Sequence, residues 1–318
     1  MKNQSLLRKA DLALSDLTTD GGLLLPEQAD TFIRKMIIQP TLLQDVRVVG
    51  MSAPQRKINK IGFGSRILRK AVSSTALSSG DRAKPTTEQI QLDTDEVIAE
   101  IRLPYDVLED NIESAGAANN EGSNGGPGGL RTTLIELIAE RAALDLEELG
   151  ILADDDSGDT YLAMQDGYLK RGYQDGNVVD RANATISKTT FKRGKMAMPK
   201  AYLRDVGSMR HFVSVDQYTE YMDTLADRPT ALGDDVVNGQ RAISPYGSPL
   251  VPVALMPDSD GLFCNPKNLI FGIQRQVSME YDKDITARVY IIVLTARVAL
   301  QIEEADAVVR YDNIGATT

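Results

Sequence analysis

One cysteine, one histidine and no tryptophan occur in this chain of 318 residues. The single Cys264 excludes a disulfide within the chain. The single His211 excludes a metal site built from several imidazoles and would have to serve any serine triad alone. It lies in "MRHFVSV", a strand-like run, and reads as a packed or surface histidine. Aromatic residues make up only 5% of the chain, too few for a platform that binds by stacking. No apolar run approaches the ~20 residues a helix needs to span a bilayer. The opening "MKNQSLLRKADLALSDL" has neither a continuous apolar core nor a small-residue cleavage site. It therefore reads as a short amphipathic helix, not as a signal peptide, and the protein is expected to be intracellular when made.

Catalytic patterns are missing too. The glycine-rich "NNEGSNGGPGG", Asn119 to Gly129, lacks the Gly-Lys-Ser/Thr ending that cradles phosphate and reads as a hinge. "DDDSGD", Asp154 to Asp159, resembles part of a calcium loop, but Gln165 stands where the bidentate glutamate belongs, which leaves only incidental cation binding. Cys264 has no second histidine and no cationic cluster near it in sequence, so it reads as structural. Glu147/Glu148 and Glu303/Glu304 are sequence neighbours. Paired catalytic carboxylates converge from separated positions, so these read as solvated faces. No catalytic residue, cofactor site or metal site is assigned.

What is present is a series of elements without an obvious partner. In "TTDGGLLLPEQADTFIRKMIIQP", Gly21 and Gly22 let the chain turn, and Pro26 holds Leu23, Leu24 and Leu25 extended. A helix with Phe32, Ile33, Met36 and Ile37 on one face follows, and Pro40 ends it. Residues 51–104 read as a long two-stranded excursion whose arms, at ~3.3 Å per residue, reach roughly 50 Å. An isolated hairpin of this kind is marginal in water, so it is expected to pack on another molecule. "LRTTLIELIAERAALDLEELG" carries a broad apolar stripe on a helix about 30 Å long, with Gly150 as its C-cap. Residues 151–290 read as a mixed α/β body, with one helix running up to Pro199, Thr189 or Thr190 near its start, and another capped by Asp216. "NLIFGIQR", "VSMEYD", "VYIIVLTARVALQIE" and "AVVRYDN" read as strands.

Charge is unevenly divided. The formal net charge is −10, yet Ser52 to Leu92 carries eight cations against Asp81 and Glu88. The cations are Arg56, Lys57, Lys60, Arg66, Arg69, Lys70, Arg82 and Lys84. Asp93 to Glu113 has a net charge of −7, as does Leu130 to Thr160, where Glu136, Glu140, Glu147 and Glu148 lie on the helix. This pattern favours docking of the basic excursion onto an acidic neighbour, including another copy of the chain. A solvated hairpin whose cations deter edge pairing is the bland alternative. Nucleic-acid contact is disfavoured by the overall charge and by a single aromatic, Phe63, in the excursion.

The order of these elements resembles the major capsid proteins of tailed bacteriophages, with the Hong Kong 97-type fold. "DGGLLLP" looks like the Gly-Gly-apolar-Val-Pro opening of that family's arm, with Leu in place of Val. "EIRLPYDVLEDNIE" is similar to the strand and acidic helix after its extended loop. "LIELIAERAALDLEELGILADD" resembles the spine helix, "MQDGYLK" the segment leading into the axial domain, and "NLIFGIQRQVSMEYD" with "YIIVLTARVALQIEEADAVV" the closing strands. The resemblance implies an α+β capsid fold. Residues 1–50 would be the N-terminal arm and 51–104 the extended loop across a neighbouring subunit. Residues 105–150 and 291–318 would form the peripheral domain, and 151–290 the axial domain.

It also implies hexamers and pentamers in a closed icosahedral virion shell around double-stranded DNA, assembled in the host cytoplasm. Portal and decoration proteins would be partners. Only some twenty residues precede Gly21, so scaffolding is expected from a separate protein. Lys70 and Lys84 lie where an isopeptide-forming lysine would lie in some relatives, but no motif marks its asparagine partner, so closure is expected to be noncovalent. A nanocompartment shell of the encapsulin type is the alternative on the same fold, and an α/β hydrolase or transferase the alternative from another class. In the capsid reading, Leu24→Asp is expected to leave the monomer folded, by circular dichroism, and to impair assembly. Unfolding would place Leu24 in its own subunit's core.

Overall fold

The structure, a computed structural model, describes residues 41–63, 66–68, 70, 77–78, 80, 82–104, 130–226 and 243–315. The expected arm with Leu23 to Leu25, the glycine-rich hinge, Arg69 and residues 227–242 lie outside the described residues.

Three sheets organise the rest. A four-stranded sheet has the order β1 (Arg47–Gly50), β9 (Leu269–Asp284), β10 (Val289–Ile302), β4 (Asp95–Pro104). A five-stranded sheet has the order β5 (Asn177–Ala184), β11 (Val308–Ile314), β8 (Gly261–Cys264), β6 (Arg210–Val213), β7 (Leu250–Pro252). A two-stranded sheet pairs β2 (Gln55–Gly62) with β3 (Thr86–Asp93). The helices are α1 (Leu130–Leu152), α2 (Tyr168–Gln174), α3 (Lys188–Ala197) and α4 (Val215–Ala226). None of the helices among the described residues is long and apolar enough to cross a membrane.

The long hairpin of β9 and β10 forms the frame. "NLIFGIQR" and "VSMEYD", expected as separate strands, belong to one strand of sixteen residues. Asp284 sets the turn by accepting the amides of Thr286 (2.9 Å) and Ala287 (3.0 Å) at Oδ1. Along β10 the even positions Ile292, Leu294, Ala296, Val298, Leu300 and Ile302 are buried, the period-two pattern of a sheet with one face on a core. That core joins Leu149 and Ile151 of α1, Tyr168 of α2 and Leu42. Buried Gln165 pairs with one edge of β10, donating to Val298 O (3.1 Å) and accepting from Leu300 N (2.9 Å).

Helix boundaries depart from the sequence reading at two places. Gly150 does not cap α1, which continues to Leu152, because Leu43, Tyr168 and Leu300 crowd that turn and hold it helical. Asp216 lies inside the first turn of α4, and the side chain that accepts the Gln217 amide (3.2 Å) is Ser214. Thr190 behaves as expected near the start of its helix, accepting from Ser187 N at 3.2 Å.

Among the described residues, the paired part of the expected two-stranded excursion is shorter than the span 51–104. β2 and β3 pair over only eight positions, from Gln55↔Asp93 to Gly62↔Thr86. Beyond Asp93 the returning chain enters the four-stranded sheet, where β4 pairs with β10 over ten positions. Ten more ladder positions and a buried Leu103 stabilise that route over a free-standing arm. The paired stem is therefore about 26 Å long.

In the five-stranded sheet, alternate residues of β11 face opposite helices. Tyr311 faces α3, and Arg310 faces α2, donating to Leu169 O (3.1 Å) and Asp260 Oδ1 (2.7 Å). Gly194 lets α3 approach Tyr311, since a Cβ there would lie 2.0 Å from the phenol oxygen. Gly194→Ala is expected to cost about 2 kcal/mol or more through overpacking, read as a lower midpoint in chemical denaturation of the unassembled chain. His211 is fully buried, stacked on Phe263 at 4.2 Å, with Nδ1 3.0 Å from the Tyr311 hydroxyl. Burial, and then the charge of Lys195, lower its pKa from 6.5 to about 3. The unfolded chain therefore binds the extra proton between those values. Stability should be full above pH 6.5 and fall on acidification towards pH 3, by up to about 1.4 kcal/mol per pH unit. His211→Gln, which cannot titrate, should flatten that limb in denaturation profiles.

Candidate assembly surfaces

The hairpin β2/β3 touches its own chain mainly at its base. Leu92 is buried against Val49, Met51, Ile270 and Ala299, with Ile58 packed alongside. Gly272 permits this packing, because Met51, Leu92 and Ala299 all lie within about 3.1 Å of where its Cβ would be. Around that plug, Thr94 N donates to Pro54 O (3.0 Å) and Gln301 Nε2 to Gln91 O (3.1 Å). Arg56 Nη1 bonds to Gly50 O.

Away from the base the surface is both basic and apolar. Arg56, Lys57, Arg66, Lys70, Arg82 and Lys84 are exposed. Lys60 differs: it is half-buried, with Nζ 2.8 Å from Glu304 in the turn between β10 and β11, so its charge is already matched within the chain. Between the cations stand Ile61, Phe63, Ile67, Leu68 and Leu77, all exposed, with Ile61 at 72% and Leu68 at 79%. The charge count in the sequence did not include these apolar residues. Their pattern, alternating with cations near the tip, was the signal available for them.

The acidic counterpart on α1 is less uniform than expected. Glu140 is exposed and Glu148 half-buried, while α1 carries the Glu136 position in its N-terminal half without a description of that side chain. Glu147 departs from the expected solvated face. It is 2% exposed, and its Oε1 accepts the amides of Thr41 (2.7 Å) and Leu42 (2.5 Å). A buried carboxylate needs such donors, and here the chain entering from residue 40 supplies them. Glu147 thus ties Thr41 and Leu42 to α1 and is not free for a neighbour. Among the described residues no ion pair joins the hairpin cations to α1.

The residues considered for chemistry take structural places. Cys264 is fully buried, and burial pushes its thiol up to about 12. In the "DDDSGD" turn, Lys170 of α2 bonds to Asp154 and Asp156, each at 2.8 Å, and its hydrogen bond holds the Asp154 carboxyl below the usual carboxylate range. Oxygen atoms of Asp154, Asp155 and Asp166 lie within 4.8 Å of one another, and the Asp166 charge raises the Asp155 carboxyl.

No family model matches the chain. It is 41% identical to the "Putative prophage capsid protein YqbE" of Bacillus subtilis (strain 168) over 322 residues, covering 98% of each. Among solved structures, the satellite phage P4 procapsid including its size determination protein is similar over 100% of this chain and 99% of that one, with a TM-score of 0.62 at 12% identity. The SrpI encapsulin of Synechococcus elongatus PCC 7942 is similar over 96% and 98%, with a TM-score of 0.55 at 11% identity. The two structures, both below 25% identity, show the fold alone, with the encapsulin the more distant of the two. Sequence identity along the whole chain separates the phage and nanocompartment readings. This chain belongs to the phage capsid protein family: it is a structural subunit with the Hong Kong 97-type α+β fold, a major capsid protein whose copies build the shell of a phage head.

Proposed function

We propose that shell closure depends on the β2/β3 hairpin reaching across a neighbouring copy. The observation that carries this reading is the hairpin's own surface. Its base is packed and hydrogen-bonded, whereas five large apolar side chains beyond it are exposed among six exposed cations. Such a surface is a liability for a free monomer and a contact surface in an assembly. Lys57, Arg66, Lys70, Arg82 and Lys84 would meet acids of the neighbour, Glu140 and Glu148 among them, and Arg69 and Glu136 belong to the same scheme. Exposed ion pairs contribute about 1 kcal/mol or less each, so the apolar residues supply the larger share of each contact. Repetition around a closed shell makes weak contacts cooperative.

Within this function, residues 1–50 act as the arm, with Leu23 to Leu25 as an apolar strip against an adjacent subunit. Residues 51–104 act as the extended loop, 105–150 and 291–318 as the peripheral domain, and 151–290 as the axial domain. Copies associate as hexamers and pentamers, with a separate scaffolding protein, a portal protein and a decoration protein as partners. Assembly takes place in the host cytoplasm, closure is noncovalent, and the shell encloses DNA without reading its sequence. The subunit performs no catalytic step.

Ile61→Ser combined with Leu68→Ser should leave the monomer's thermal midpoint nearly unchanged, because neither side chain is buried. It should abolish closed shells in negative-stain micrographs of co-expressed chain and scaffold. Normal shells from this variant would remove the hairpin from the assembly contact.

A further inference from the structure

A second basic surface lies on the body, away from the hairpin. From Thr185 to Arg204 the chain carries six cations and no acid. Most of them fall on or just after α3, where Lys188, Lys192 and Arg193 are exposed. Lys188 and Lys192 are one helical turn apart, so like charges face each other near a helix N-terminus, where cations are disfavoured. The first turn has no acid to offset them. Met196, 74% exposed, continues the Lys188–Lys192 ridge.

None of these cations makes an ion pair among the described residues. Beneath them, Arg181 of β5 is only 6% exposed, and its Nε has no hydrogen-bond partner. Burial, and next the charge of Arg193, lower the Arg181 pKa. A buried Nε without a partner, under a helix whose cations are unmatched among the described residues, points to an anionic partner from outside the subunit.

The same chain presents a matching surface. The turn 154–159 holds Asp154, Asp155, Asp156 and Asp159, with Asp155 61% and Asp156 84% exposed at their side chains. Lys170 is the one cation paired with it among the described residues. The two surfaces lie on opposite faces of the five-stranded sheet. The basic helix packs on the Tyr311 side, and α2, which holds the acidic turn through Lys170, packs on the Arg310 side. Complementary patches on opposite sides of one subunit are what a head-to-tail contact uses, repeating around a ring.

We propose that the outer face of α3, centred on Lys192 and Arg193, docks on the acidic turn Asp154–Asp159 of a second copy within a capsomer. This contact is distinct from that of the hairpin and rests on the shell function above. Packaged DNA is the other anion available to a capsid subunit. The second copy is favoured because the acids are supplied by the chain itself, on the required side, and because a net charge of −10 repels a polyanion.

The test is a charge swap in the full chain, run beside wild type. Wild type must form shells under the same conditions; its failure to do so would count against the shell function and not against this contact. Lys192→Glu with Arg193→Glu should keep the unfolding midpoint and reduce the assembled fraction, measured by sedimentation, by about tenfold or more. Adding Asp155→Lys and Asp156→Lys to that chain should restore assembly to within about threefold of wild type. A zero-length carbodiimide applied to wild-type shells of mixed isotope label should join Lys192 to the 154–159 peptide between chains, a readout that needs no variant to fold. Three results would each overturn the proposal: wild-type assembly by the reversed chain, loss that the acid swap does not restore, or normal shells from the reversed chain that lack only DNA. Absence of the inter-chain cross-link would overturn it as well.

Discussion

Burial on both faces of β10 is the constraint on which the other parts depend. Val298, Ala299 and Leu300 are consecutive, and all three are almost completely buried. Consecutive residues of a strand point to opposite sides, so this stretch is sandwiched. On one side lie α1, α2 and Leu42, and on the other the plug formed by Leu92, Met51 and Ile270. A single strand thereby relates the spine helix to the base of the projecting hairpin. Close packing transmits any change on one side to the other, which suits a subunit whose contacts must keep their geometry around a shell.

Buried polar groups do similar work. Glu147 collects two amides of the incoming chain, Gln165 pairs with one edge of β10, and Tyr168 donates its hydroxyl to Ile270 O at 3.1 Å. Each couples an element close to the spine helix to the sheet or to the chain entering it. Losing one partner would leave a buried polar group unmatched, so these bonds specify the arrangement more than they add net stability. The charges left over are on the surface and segregated: cations on the hairpin and on α3, acids on the turn before α2 and on α1. A monomer gains nothing from that segregation, whereas an assembly of identical copies can use it.

Much of the frame was legible in residue order. The strand β10, the long helix and a threonine near the start of α3 follow from local patterns, and of the packed and surface places read for His211 the packed one is found. Other features depended on what the chain meets after folding. Gly150 looked like a helix end because glycine favours that place, but side chains from three other segments hold the turn helical. Residues 95–104 looked like part of a free arm because alternation does not name a partner, and β10 is almost two hundred residues away. Glu147 and Glu148 are indistinguishable as letters, yet a helical step of about 100° turns one inward and leaves the other partly exposed. The apolar tip of the hairpin escaped a reading based on charge, although its residues were in view.

The amino-acid sequence by itself determined the identity of most described elements and the division of charge, properties of composition and short-range periodicity that local chain stereochemistry enforces, while the order of its motifs carried the resemblance to the family. Only the tertiary structure decided which strands pair, which carboxylate is buried, where the hairpin leaves the body, and that the basic helix and acidic turn lie on opposite faces of one sheet. Those depend on contacts between residues far apart in the chain, where packing and the matching of buried polar groups choose among partners that the local pattern leaves equivalent.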